Sequence, residues 1–131
     1  MSNASFFWIF AAALSSFLLG GLWYSPVLFG NVWRREAGDS RKPGDGHPVR
    51  IFGLSFLFAL VAAIAYALIV PPTATLLWAG IQGLAVGAAL VAASFGINYQ
   101  FANRSFRLWL IDGGYHTLQF GLYGVVLWLA R

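Results

Sequence analysis

The sequence predicts an all-α polytopic integral membrane protein: four transmembrane helices arranged as two hairpins, with a short interfacial helix after the first span. Three observations carry this. Of 131 residues, 60% are hydrophobic and only 9% charged, against about 25% charged in an ordinary soluble domain. The apolar residues fall into four runs, 6–24, 51–70, 76–99 and 108–130, each near the roughly 20 residues a helix needs to cross the hydrocarbon. The runs are continuous, whereas barrel strands alternate over about 10 residues, so a β-barrel is rejected. The whole chain, 1–131, reads as a single transmembrane domain.

Span 1 has no Lys or Arg among residues 1–5, and a secretory signal needs a basic start, so it is read as a retained span. Orientation follows from Lys and Arg in the short loops. Arg34, Arg35, Arg41, Lys42 and Arg50 follow span 1, and Arg104 and Arg107 follow span 3. The amino terminus and the turn between spans 2 and 3 have none, and only Arg131 disagrees. Both termini are therefore expected outside, with loops 25–50 and 100–107 in the cytoplasm. The net charge of +4 is a topology signal with possible contact to anionic lipid, not a nucleic-acid signal. Arg outnumbers Lys and Ala and Gly are abundant, which suggests a bacterial plasma membrane.

Local punctuation fixes the connections. Ser25-Pro26 reads as a helix start, Ser at the N-cap and Pro at the first helical position. Leu28, Phe29, Val32 and Trp33 then share one side, opposite Asn31, Arg34 and Arg35. This predicts an amphipathic helix in the interface with Trp33 at headgroup level; an irregular loop with aromatic anchors is the alternative. Residues 37–49 are rich in Gly, Pro and charge and read as a mobile loop in which Asp45 and His47 are solvated. Pro71-Pro72 stops span 2, Thr75 caps span 3 and Ser105 caps span 4. The tight outer turn predicts that spans 2 and 3 are antiparallel neighbours. Aromatic residues at the span ends, among them Trp8, Trp78, Trp109 and Trp128, form the interfacial belt.

Span 4 carries the polar residues. At 100° per residue Asp112, His116, Gln119 and Tyr123 share one face, flanked by Tyr115 and Thr117. Lipid does not solvate such a stripe, so it faces protein or water. His116 lies about 14 Å along the helix from Arg107. The i, i+4 spacing lets Asp112 meet His116, as a proton relay or the lining of a solute route with Asn98 contributing from span 3. In the alternative, Asp112 pairs with Arg104 or Arg107 and the other groups bond neighbouring spans. One Asp and one His fall short of a metal site, there is no cysteine and no nucleophile set is recognisable. No cofactor is expected, and the chain is not expected to be an enzyme.

Small residues mark close approach. Gly80, Gly83 and Gly87 on span 3, and Gly113, Thr117, Gly121 and Gly124 on span 4, predict tight helix packing within or between subunits. A weak repeat relates residues 21–25 (GLWYS) to 96–100 (GINYQ) at an offset of 75. Each copy ends an inward-running span, as in parallel-repeat membrane proteins.

Three ordered motifs carry a family resemblance. The first is Gly21-Leu22-Trp23-Tyr24-Ser25-Pro26 with Phe29-Gly30 and Trp33. The second is Asn98-Tyr99 with Phe101, Arg104-Ser105 and Leu108. The third is Ile111-Asp112-Gly113-Gly114-Tyr115-His116. Over nearly its whole length the chain resembles the domain of unknown function 1761 family. The resemblance implies a small four-span membrane protein of bacteria and fungi. It implies no activity, but it singles out Trp23, Tyr24, Ser25, Pro26 and the 112–116 segment.

Three classes of function stay open on the sequence. One is an oligomeric pathway for protons, ions or a small solute, using Asp112 and His116 with Gln119, Tyr123 and Asn98. The second is a non-catalytic structural or interaction protein that docks partner helices and lipid. The third is an enzyme acting on a lipid or quinone with His116 as base. Partners common to the first two are the bilayer and a second copy of the chain.

Overall fold

A computed structural model describes residues 3–38 and 47–130. Most of the predicted mobile loop, including Asp45, and Arg131 lie outside the described residues. His47 is described and exposed just ahead of a helix.

The described residues are all-α. The helices are α1 (Asn3–Trp23), α2 (Gly30–Ala37), α3 (Pro48–Ile69), α4 (Leu76–Val86), α5 (Ala93–Phe101) and α6 (Phe106–Trp128). A π-helical turn, Gly87–Ala92, joins α4 to α5 without a break. Among the described residues, α1, α3 and the continuous α4–α5 rod are long and apolar enough to cross a membrane. α6 has the length, at 23 residues, but its polar stripe lowers its mean hydropathy.

The ends follow from local chemistry. α3 begins with Pro48 in its first turn, where the missing N–H has no helical partner to lose. It ends at Ile69 because Val70, preceding Pro71-Pro72, is extended, as a residue before proline prefers. Thr75 accepts from the Trp78 amide at 3.2 Å and Ser105 from the Leu108 amide at 3.1 Å, so both sequence-predicted caps form. Ser25-Pro26 does not start a helix. Ser25 Oγ donates back to Leu22 O at 2.7 Å, and Ser25 O accepts from the Leu28 and Gly30 amides. The pair makes a tight turn, and α2 starts four residues later than Pro26. α2 ends at Gly38, whose φ of +66° closes the helix by donating to the Arg34 and Arg35 carbonyls.

α6 is the hub: it packs against α1, α2, α3, α4, the π turn and α5. α1 also packs against α3, with Phe17 against Phe52 and Phe10 against Phe56. That pairing order makes the two helices antiparallel. Gly83 lies beside Phe120 and Gly121, and Gly87 beside His116 and Thr117, so α4–α5 and α6 are antiparallel too. α3 and α4 do not pack along their lengths, contrary to the neighbour relation expected from the short turn. Residues 70–75 are non-helical, and at about 3.3 Å each they span the bundle instead of folding back.

The glycines explain how α4 reaches α6. A Cβ on Gly87 would stand 2.6 Å from the His116 carbonyl oxygen, and one on Gly83 would meet the Phe120 carbonyl closer still. Gly124 meets the Ala79 carbonyl and Gly121 meets Leu84 in the same way. Gly80 and Gly113 contact Val125 and Ala92 more loosely. All six residues therefore serve packing within this chain. Thr117 donates to the Gly113 carbonyl on its own helix at 2.8 Å.

Burial is inverted relative to a protein in water. The buried set is mostly small or polar, with Ala12, Ala13, Ser16, Ala59, Ala63 and Tyr123 among it beside Ile9, Leu108 and Ile111. The exterior is Phe, Leu, Ile and Val: Phe58 is 69% exposed, Leu77 71% and Leu18 67%. Small residues between helices with large apolar ones outside fit a lipid surround.

Candidate functional site

The polar stripe of α6 divides into two separate constructions. The first centres on Asp112, 8% exposed and in the second turn of α6. Tyr24, just past α1, donates to Oδ1 at 2.6 Å. Trp33 of α2 donates its indole N–H to the same oxygen at 3.0 Å. Tyr99 of α5 donates to Oδ2. Beside them, the Trp23 indole donates to the Ile111 carbonyl at 2.9 Å. One carboxylate thus holds four parts of the fold together through neutral donors, and hydrogen bonds to such a group are stronger than neutral ones.

Among the described residues no arginine takes part. Arg104 donates to the Ala37 carbonyl at 2.9 Å, closing the end of α2. Arg107 approaches Glu36 at 3.8 Å and is largely exposed. The proposed pairing of Asp112 with either is not made. Nor does Asp112 bond His116: at i, i+4 they share a face, but the carboxylate is already occupied by aromatic donors.

The second construction starts at His116. Its ring stacks on Phe95, 4.8 Å between centroids. Nδ1 lies 2.6 Å from Gln119 Oε1, Gln119 Nε2 donates to Tyr123 Oη at 2.8 Å, and Tyr123 donates to the Ala59 carbonyl at 3.0 Å. The chain has a fixed direction. A carbonyl only accepts, so Tyr123 spends its proton on Ala59, and Gln119 must offer its amide N–H to Tyr123. Gln119 Oε1 then faces His116, whose Nδ1 must carry the proton. In a neutral ring this leaves Nε2 as an acceptor. Nε2 has no hydrogen bond among the described residues and is not among the buried polar atoms lacking a partner, so it is accessible.

His116 and Gln119 border a cleft of about 700 Å³ between α1, α3, the π turn and α6. Phe17, Phe52, Phe58 and Phe120 line it, together with Ser55. The cleft exists because α3 packs on α1 and α6 but not on α4–α5. Tyr115 also borders it, with its hydroxyl committed to the Ser16 carbonyl at 2.9 Å. Across from it the π turn frees the Ala92 carbonyl, which accepts from the Trp109 indole at 2.7 Å.

Of the residues singled out from sequence, His116, Gln119 and Tyr123 do form one connected set, with Tyr123 completely buried. Asp112 belongs to another. Asn98 is exposed; its neighbour Tyr99 is the residue that turns inward. Trp33, expected at headgroup level, turns its N–H to Asp112. Tyr24, Trp33 and Tyr99 escape a sequence reading because aromatic residues at span ends already have an interfacial explanation. The available signal is position: Tyr24 and Tyr99 lie at the ends of like-directed helices, at the level where the returning α6 carries Asp112 in its second turn.

Fold and site define a small helical bundle with an apolar exterior, a buried carboxylate junction at one end and a lateral cleft beside His116. The description "Protein of unknown function (DUF1761)" matches residues 7–128. The chain belongs to this family. No curated protein and no solved structure matches it. The three motifs that carry the resemblance meet in space: Trp23, Tyr24 and Trp33 from the first, Tyr99 from the second, and Asp112 from the third all belong to one junction.

Proposed function

We propose that this is a four-span membrane protein, with both termini outside, that works through the His116 cleft while Asp112 holds the architecture. Its task is to bind an uncharged amphiphile bearing a hydroxyl group, as the binding step of a small-solute pathway within the bilayer. The accessible Nε2 acceptor at a mostly apolar cleft is the observation that carries this reading. It calls for a donor hydroxyl on the ligand and an apolar body beside it. A proton wire is less well supported, because from His116 the chain leads only to buried groups, the Ala59 carbonyl and the Ser16 hydroxyl, which itself donates to the Ala13 carbonyl. The enclosed packing of the glycines also removes the main argument for a partner-helix role through those faces. The exposed arginines of α2 suit anionic headgroups at the cytoplasmic face.

The test is photolabelling in nanodiscs with a long-chain alcohol carrying a diazirine. Labelling is expected to saturate, to map to residues bordering the cleft, and to fall in His116→Phe, which keeps the stacking surface, and in Ala62→Phe, which fills the space. Equal labelling in all three proteins rejects the cleft as the site. Single cysteines placed at Val27 and Thr73 in this cysteine-free chain test orientation: only the second should react from outside intact cells.

A further inference from the structure

A second pocket lies at the end of the bundle opposite the Asp112 junction. It is smaller, about 300 Å³, and is formed where α3 ends, α4 begins and α6 closes. Its walls are mostly aliphatic, with Leu68, Val70, Pro71 and Leu127, and among the described residues no charged one borders it. Two of its residues carry buried polar atoms without a hydrogen-bond partner: the Tyr66 hydroxyl and the Trp128 indole nitrogen. Tyr66 itself is 7% exposed.

Such atoms are rare, because leaving a buried donor unpaired is costly. Two orphans bordering one pocket are therefore a pair to be explained together. Both can donate, and the indole can only donate. Gly124, also in the wall, lacks a side chain where one would crowd the Tyr66 hydroxyl at 3.1 Å. The complement is an acceptor oxygen with no net charge, attached to an apolar body. Where Trp and Tyr lie at a helix end in a bilayer, that chemistry is the ester carbonyl of a glycerolipid.

We propose that this pocket is a lipid site in which Tyr66 and Trp128 donate to a glycerolipid ester carbonyl, after a small rotation of either ring. The proposal rests on the membrane-spanning reading and is independent of the ligand in the His116 cleft.

The experiment compares dioleoylphosphatidylglycerol with its dialkyl ether analogue, which has the same headgroup and chains but no carbonyl. Native mass spectrometry of the full chain released from vesicles of either lipid reads retained adducts. The ester lipid is expected to be retained about fivefold more tightly, the worth of one hydrogen bond. Tyr66→Phe and Trp128→Phe should each reduce that preference. Equal retention of the two lipids, no retention of either, or an unchanged preference in both variants overturns the proposal. Flotation with the vesicles is scored separately, so a chain that floats without preferring the ester fails this inference alone.

Discussion

Tyr24 and Tyr99 grip opposite oxygens of a single carboxylate, that of Asp112. They stand 75 positions apart, at equivalent places in the weak internal repeat. The repeat thus has a structural use. It puts the same side chain at the same end of two like-directed helices, and the returning α6 carries the acceptor between them.

Asp112→Asn should loosen this junction. Asn replaces one acceptor oxygen with an NH₂ group that faces a donor, so at least one aromatic hydroxyl or indole loses its partner. A loss of about 2 kcal/mol is expected, with the largest effect on α2, which is short and depends on Trp33. Hydrogen exchange across Gly30–Ala37 reads this directly: faster exchange there than in the α3 core is the expected pattern.

The two tyrosines should be energetically coupled. Tyr24→Phe and Tyr99→Phe each remove one bond to the same group, and sites sharing a partner are non-additive. A double-mutant cycle read by unfolding in detergent should give a coupling term of about 1 kcal/mol. Strict additivity would mean that the tyrosines act independently of the shared carboxylate.

Gly83→Leu should disrupt the fold of the single chain, because its side chain would enter the α6 backbone. Gly21→Leu is the matched control, since a Cβ there meets nothing within 4 Å. Overpacking of this kind costs about 1–3 kcal/mol or more. Thermal unfolding should separate the two variants, whereas a purely intersubunit role for Gly83 would change oligomer size and leave subunit stability alone.

Much of the fold was legible in the sequence because lipid imposes a simple length and composition rule. The Thr75 and Ser105 caps, the stop at Pro71 and the three apolar helices follow from local rules alone. The α6 partners did not, because a four-residue spacing says which side chains share a face and not which neighbours reach them first. Asp112 was therefore paired with His116 on geometry that aromatic donors from three other segments override. Trp33 shows the same limit: amphipathicity located its helix but not the buried acceptor its indole finds. The cleft was not legible at all, since it arises where α3 fails to pack on α4–α5.

Tyr123→Phe should release the His116 tautomer. Without the hydroxyl, the Ala59 carbonyl loses its donor and Gln119 is free to turn its amide. Nitrogen-15 spectra should show the Nδ1–H form in the wild type and a mixture of tautomers in the variant, with a stability loss of about 1–3 kcal/mol from the unpaired groups.

The same nitrogen resonance tests the central claim most directly. His116 Nε2 is followed in nanodiscs while a long-chain alcohol, or its methyl ether as control, is added. His47 is removed by His47→Asn so that a single imidazole is observed. A saturable shift of Nε2 with the alcohol alone, Nδ1 staying protonated, is the predicted result. An Nε2 signal that ignores the alcohol, or responds equally to the ether, would contradict the assignment of the cleft as a hydroxyl-binding site.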